Sequence, residues 1–580
     1  MTESSAFDAN LIPRPKPRWR SMLTGWNLVG AVLFTAAIGI SLWQVLRVEK
    51  SMYSDDIISV RLSHWQLELG YRDALQKVMD EYNAMQDERF ARGEIKKRIV
   101  VSQLPVSEKV YGQLINTHLI AGTAPDIIEM GKASMISGAY RAQYFLNLST
   151  EIEKPNPYNA PVFQLPDLDP DIAAALPTMP WRDTFIDGLA GGFDRELQGY
   201  YSVPTTFAPW NRYAVNLDML KEATGSDEMP KTLGEFLSAC EKMRELGRKQ
   251  GRDIWPIAGS SYSAGFYNNY IVPFMAASQR ELDAEYDGTI SIFEALTGLK
   301  LGVWSLDDPA LGDFIDAISA ITANFPNGFI GMDREAAMLM FTQLQSGFFY
   351  CGAWDAGTVY RLTKDKFRVG IMANVMPGEG EKWGPLKSVN EASMTASQAY
   401  GINKTSPNVD IAKDFLQFWT SQKQNQLFNL NADWVPCIVG STLPKHMAAY
   451  APQIEGYASG SAWLFAWGEA DRLSSVFEGK IQAVLSGRGT KEDVIAAMKE
   501  VVNDPNYGIE PLLSKKMDDY RNAERNAERG IAAQSLAHLL DPAMAAPRQN
   551  YVILVSSQAG LLNGHAPLMS IRRLEEAHHE

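Results

Sequence analysis

The chain has 14 tryptophans, and four of them (Trp65, Trp210, Trp354 and Trp434) fall at loop positions or at the ends of extended runs rather than at helical core spacing. An indole offers a large apolar face and one N–H donor. Such faces suit the C–H side of a sugar ring, and planar polar groups suit its rim of hydroxyls, each of which must be paired once buried. Asp355 follows Trp354 directly and sets an acceptor beside a stacking face. Trp304 and Trp419 lack such placement and read as core. Asp126, next to Pro125, is better suited to fixing backbone groups than to touching a ligand.

Other chemistries find little support. The chain holds no His-Glu-x-x-His pattern, and no Gly-x-Ser-x-Gly elbow, phosphate loop or dinucleotide fingerprint. Three cysteines, Cys240, Cys351 and Cys437, lie far apart in sequence and read as small buried side chains. No metal site and no cofactor are expected. Paired carboxylates such as Asp355 and Glu68 keep a glycan-acting enzyme in view, but acidic residues are common here, and the sequence favours a protein that binds without reacting. A formal net charge of −14 argues against a nucleic-acid partner.

These residues are positioned by a folded body, since the chain is 46% hydrophobic and 21% charged. At 580 residues it is too long for one core, and two packed lobes with appendages are expected. Strand-like runs at 57–62, 99–101 and 127–130 alternate with helical periodicity at 71–85 and 106–119. That order predicts a parallel α/β sheet. Ligands of such sheets sit beyond the carboxyl ends of strands, which points to Trp65 and Gln66 and to Met130 and Gly131. Thr232 and Glu235 predict a capping box. Residues 151–180 read as a loop or insertion. Residues 513–540 read as a charged, alanine-rich helix and 551–555 as one short strand.

Residues 21–46 carry no charge. This run of about 26 residues exceeds the roughly 20 needed to span a bilayer. Arg14, Lys16, Arg18 and Arg20 precede it, and a mixed set follows, which predicts an inside N-terminus and a single-pass anchor with the body outside. A cleaved signal peptide is the competing reading, with Ala36 and Ala37 available to a peptidase.

Four segments carry a family resemblance. They are the strand ending at Trp65; Ala121-Gly122-Thr123-Ala124-Pro125-Asp126-Ile127-Ile128; Tyr201-Ser202-Val203-Pro204 with Tyr213-Ala214-Val215-Asn216 and Pro230-Lys231-Thr232-Leu233-Gly234-Glu235-Phe236; and Gln345-Ser346-Gly347-Phe348 running to Trp354-Asp355. In this order they resemble the family 1 extracellular solute-binding proteins of the maltodextrin-binding type. The resemblance spans residues 57–503. Departures are the missing Tyr-Asn pair at 212–216, Cys351 in place of a small or apolar residue, and a long 151–200 region.

The resemblance implies an α/β, two-lobed periplasmic-binding-protein (type II) clamp with crossover hinge strands near 203–208, 370–377 and 433–436. The expected organisation is a basic tail at 1–20, a transmembrane anchor at 21–46, lobe 1 at 57–203 and 377–432, and lobe 2 at 209–370 and 437–503. Residues 506–580 form a helical extension without an assigned role. The implied function is capture of a small sugar-like ligand for ABC transporter permease subunits at the inner membrane. A membrane-anchored ligand sensor or scaffold is the alternative. The implied contacts are Trp65, Gln66, Met130, Gly131, Trp210, Trp354, Asp355 and Trp434. Asn390 and Glu391 are placed in a lobe 1 loop within reach of the cleft.

Overall fold

A computed structural model describes residues 57–578 apart from 68–69, 132–137, 195–196, 208–210, 285–289, 392–393, 444, 458–470 and 541–546. The expected anchor at 21–46 therefore lies outside the described residues. Among the described residues no helix is long and apolar enough to cross a membrane.

The chain falls into two compact units. The smaller comprises Met1–Ser59 and Asn83–Val100. Within it, Arg98 forks onto the Asp87 carboxylate at 2.8 and 2.6 Å. Arg92 donates to Glu94 at 2.6 Å. The larger unit comprises Val60–Tyr82 and Val101–Glu580 and carries both principal sheets.

Eleven strands are described: β1 (Ile57–His64), β2 (Arg98–Pro105), β3 (Ile127–Glu129), β4 (Phe193–Asp194), β5 (Gly199–Tyr200), β6 (Val203–Phe207), β7 (Arg212–Asn216), β8 (Trp255–Ala258), β9 (Ser346–Cys351), β10 (Val369–Met372) and β11 (Ala396–Ile402). The first sheet runs β2-β1-β3-β11-β6 and the second β10-β7-β9-β8. The expected parallel pairing holds for β1 and β3, where Leu62 faces Ile127. The sheet as a whole is mixed, because β11 runs antiparallel to both β3 and β6. In the second sheet β8 and β9 are parallel, while β7 opposes both β9 and β10.

Local sequence sets where the helices stop and start. Glu108–Ala121 ends at Gly122, whose φ of 68° is one that glycine adopts at no steric cost. Leu233–Gln250 starts at Thr232, whose hydroxyl accepts from Glu235 N at 3.2 Å. The reciprocal half of the expected box is displaced by one residue, since the Glu235 carboxylate accepts from Lys231 N at 2.7 Å. Apolar faces then close two cores. Tyr111, Ile115, Leu119, Ile128 and Phe145 pack under the first sheet, and Tyr213, Phe236, Phe314 and Phe348 pack under the second. Burying one such side chain fully contributes about 1.5–3 kcal/mol.

Among the described residues the chain changes from one sheet's layer to the other's three times. The first passage lies between Phe207 and Arg212, close to the expected 203–208. The second comes after Glu391, where 370–377 was expected. Val375, Met376 and Val389 still pack with the second core, and Glu391, expected in a lobe 1 loop near the cleft, is buried and paired to Arg212 of β7. The third comes later than 433–436. Val435 bridges to Phe207, and Thr442 N donates to Gln426, before Tyr450 reaches Cys351.

The carboxyl-terminal region is a helical pair, Ile509–Leu540 and Pro547–His578. The strand expected at 551–555 lies inside the second helix. A five-residue apolar run suits either state, and Pro547 pre-sets the backbone for a first helical turn. Gly564 lets this helix approach its neighbour, since a Cβ there would stand 3.0 Å from the Tyr520 carbonyl. The pair is joined to the second layer by Ser570, which donates to buried Glu294 at 2.9 Å, and by Arg573, which donates to the Ala284 carbonyl at 3.1 Å.

Candidate ligand-binding site

Beyond the carboxyl end of β3 lies a cavity of about 480 Å³. Its floor is set by backbone pairing, as Met130 N donates to the Ala399 carbonyl of β11 at 2.7 Å. Gly131 follows, and its N–H reaches the buried Glu129 carboxylate at 3.3 Å. A Cβ at 131 would come within 2.7 Å of that carboxylate and 3.6 Å of the Trp65 indole nitrogen. The indole of Trp65 therefore abuts the cavity-lining glycine. Gln66 is buried and donates its amide to Gln398, which also lines the cavity and holds a left-handed φ of 53°.

The facing wall comes from the long region before β6. Arg141 and Asp194 form an ion pair at the cavity, and Asp194 also accepts from Leu197 N at 3.0 Å. Phe193 and Tyr201 add aromatic surface. Asp187 ties this wall to β11, its carboxylate accepting from Gly191 N at 2.9 Å and Ala396 N at 2.7 Å. Asp126 plays the backbone-fixing part that its place suggested. It accepts from Arg61 N at 2.7 Å, and from Ser406 and Asn408.

A second, pinched cavity of about 10 Å³ lies on the second layer. Trp354 and Asp355 border it with Asn211, Tyr262, Arg334 and Tyr350. Both predicted residues sit in the first turn of the Ala353–Thr363 helix, directly after β9, instead of ending an extended run. Gly352 makes room for the Trp354 ring, as a Cβ there would stand 2.3 Å from it. Asp355 is buried and lies 3.6 Å from Arg334 Nε.

Two predicted tryptophans fare differently. Trp434 is only 4% exposed, and its ring packs 4.8 Å from that of Tyr71, so it belongs to the first layer's interior and offers no open face. Its loop position was read correctly, but the direction of its side chain was not. Trp210 and Glu68 lie outside the described residues.

Burial pushes the Cys351 thiol up to about 12 and raises Cys240 and Cys437 as well, so all three free cysteines stay protonated. His64, at the end of β1, is pushed down to about 4 by burial, although Gln103 bonds it at 3.0 Å. Among the described residues no cluster of three or more His, Cys, Asp or Glu is placed to hold a metal ion.

Residues 73–426 match the bacterial extracellular solute-binding proteins. The chain belongs to that family. Its members are binding proteins that work outside the cytoplasm, and this solute-binding protein has their two-lobed α/β fold. No curated protein matches it. Among solved structures, apo RafE from Streptococcus pneumoniae is 17% identical, covering 77% of this chain and 98% of its own, with a TM-score of 0.49. A chitin oligosaccharide binding protein is 17% identical, covering 78% and 100%, with a TM-score of 0.49. Maltose-bound T. maritima MalE3 is 16% identical, covering 77% and 98%, with a TM-score of 0.47.

The residues of this solute-binding protein that sequence reasoning missed are Arg141, Phe193, Asp194, Tyr201 and Gln398. Phe193-Asp194 and Gly199-Tyr200, paired across a short turn, were the available signal for the outer wall. Nothing in sequence marks Gln398.

Proposed function

We propose that this protein is the extracytoplasmic solute-binding component of an ABC transporter and that it holds a carbohydrate between its lobes without altering it. The cavity beyond β3 supports this reading most. Its volume of about 480 Å³ suits a small ligand, and it sets Phe193 and Tyr201 beside the planar polar groups of Arg141, Asp194 and Gln398. Rings take the apolar sugar faces, while the ion pair and the amide satisfy hydroxyls that would otherwise be left unpaired. Trp65, Gln66, Met130 and Gly131 form the inner edge of this site, and Trp354 with Asp355 meets the ligand from the second lobe.

In this reading residues 21–46 remain as a single-pass anchor that keeps the lobes near permease subunits. Lobe 1 takes 57–207, 394–443 and β11 with its helices, and lobe 2 takes 211–391 and 445–503 with the carboxyl-terminal pair docked on it. Amino-terminal sequencing of the mature membrane protein tests the anchor, and a start near Ile38 would remove it. A thermal-shift screen of the full chain in detergent, across neutral sugars, amino acids and oligopeptides, tests the ligand class. Stabilisation by sugars alone is expected. Stabilisation only by an amino acid or a peptide would overturn the carbohydrate reading.

A further inference from the structure

The helix that carries Trp354 and Asp355 also makes the most direct polar contact between the lobes described so far. Asp433 ends the Gln422–Ala432 helix of lobe 1 in a left-handed conformation, φ 56° and ψ 44°. Its carboxylate points across to lobe 2. Oδ2 accepts from Arg361 Nη1 at 3.0 Å, and Oδ1 lies 3.0 Å from His446 Nε2. His446 is braced by Tyr360, whose ring meets it edge-on at 4.9 Å. Arg361 and Tyr360 belong to the Ala353–Thr363 helix.

An exposed ion pair alone holds little. Here the backbones are also brought close by two glycines. At Gly357, one turn before Arg361, a Cβ would stand 2.3 Å from Asp433 Oδ2 and 2.5 Å from Asp433 Cβ. At Gly70 of lobe 1, a Cβ would stand 3.3 Å from Arg361 Nη2. The lobe 2 helix is thus seated directly on lobe 1, with the carboxylate filling the place of a side chain. We propose that Asp433, Arg361 and His446 form a latch that sets the resting separation of the lobes. The Ala353–Thr363 helix links this latch to the ligand, because its first turn carries Trp354 and Asp355. A ligand drawn against those residues acts on the same rigid element that holds the latch.

This inference rests on the clamp reading, and its test is kept separate from that reading. Spin labels go on cysteines introduced at exposed Asp410 in lobe 1 and Lys249 in lobe 2 of the full chain in detergent; the native cysteines are buried. Inter-label distances are measured without ligand. The wild type should give one narrow distribution. Asp433→Asn and Arg361→Gln should broaden it or move its mean by several ångströms, and Gly357→Ala should shift the mean. The swap Asp433→Arg with Arg361→Asp should restore a narrow distribution that each single reversal loses. Variants that melt like the wild type and keep its distribution unchanged would overturn the latch. If a ligand that raises the melting point never moves the wild-type distance, the clamp reading fails, whatever the ligand-free arms show.

Discussion

The two cavities use similar chemistry at very different sizes. Each sets an arginine against a carboxylate, Arg141 with Asp194 and Arg334 with Asp355, and each has aromatic rings beside the pair. The first measures about 480 Å³ and the second about 10 Å³, about the least that one water requires. The difference lies in what stands behind each. The first is floored by a strand end and glycines, so nothing fills it. The second opens a helix whose indole takes up the room that Gly352 leaves. In the proposed reading the first cavity is the receptacle, and the second is a face that meets the ligand held there.

The predictions separate residues that build these regions from residues that use them. The largest effect is expected at Trp434. As an interior ring, its replacement in Trp434→Ala should remove about 3–5 kcal/mol of folding stability in urea unfolding. A variant that folds normally but loses affinity would return Trp434 to the binding face. His64, at the end of β1, comes next. Its pKa falls from 6.5 in the unfolded chain to about 4 in the fold. The unfolded state then binds the extra proton first, so this contribution is complete above pH 6.5 and lost as pH falls towards 4. It should amount to about 3 kcal/mol. The wild type should lose stability relative to His64→Gln as pH falls through that range, and parallel curves would contradict the burial argument.

Effects on binding should be smaller, and each is read beside the variant's own melting curve. Asp194→Ala removes the partner of Arg141 and should weaken ligand binding by about 2–3 kcal/mol in calorimetric titration. Trp354→Ala should weaken it by about 2 kcal/mol, as for an aromatic anchor. Equal losses of melting temperature in Trp354→Ala and Trp434→Ala would erase the distinction between face and core.

Much of the first lobe was legible because its signals are local. Alternating strands, the stop at Gly122 and the turn at Pro125-Asp126 place Met130 and Gly131 by chain geometry alone. The outer wall was not legible, since Arg141 and Asp194 are 53 residues apart by the difference of their numbers and meet only in the folded chain. Trp434 shows a different limit. Its backbone lies where a cleft residue should, but the gain from packing on Tyr71 turns its ring inward. The run at 551–555 failed because so short an apolar stretch has no period of its own.

The central claim is that one ligand engages both lobes. It is tested most directly by the distance between labels at Asp410 and Lys249 in the full chain, before and after saturation with a sugar that raises the melting point. The account predicts a shift to a shorter, narrower distribution that Trp354→Ala diminishes. A saturating ligand that leaves the distribution unchanged would mean that it binds one lobe alone, and the two-sided site would be wrong.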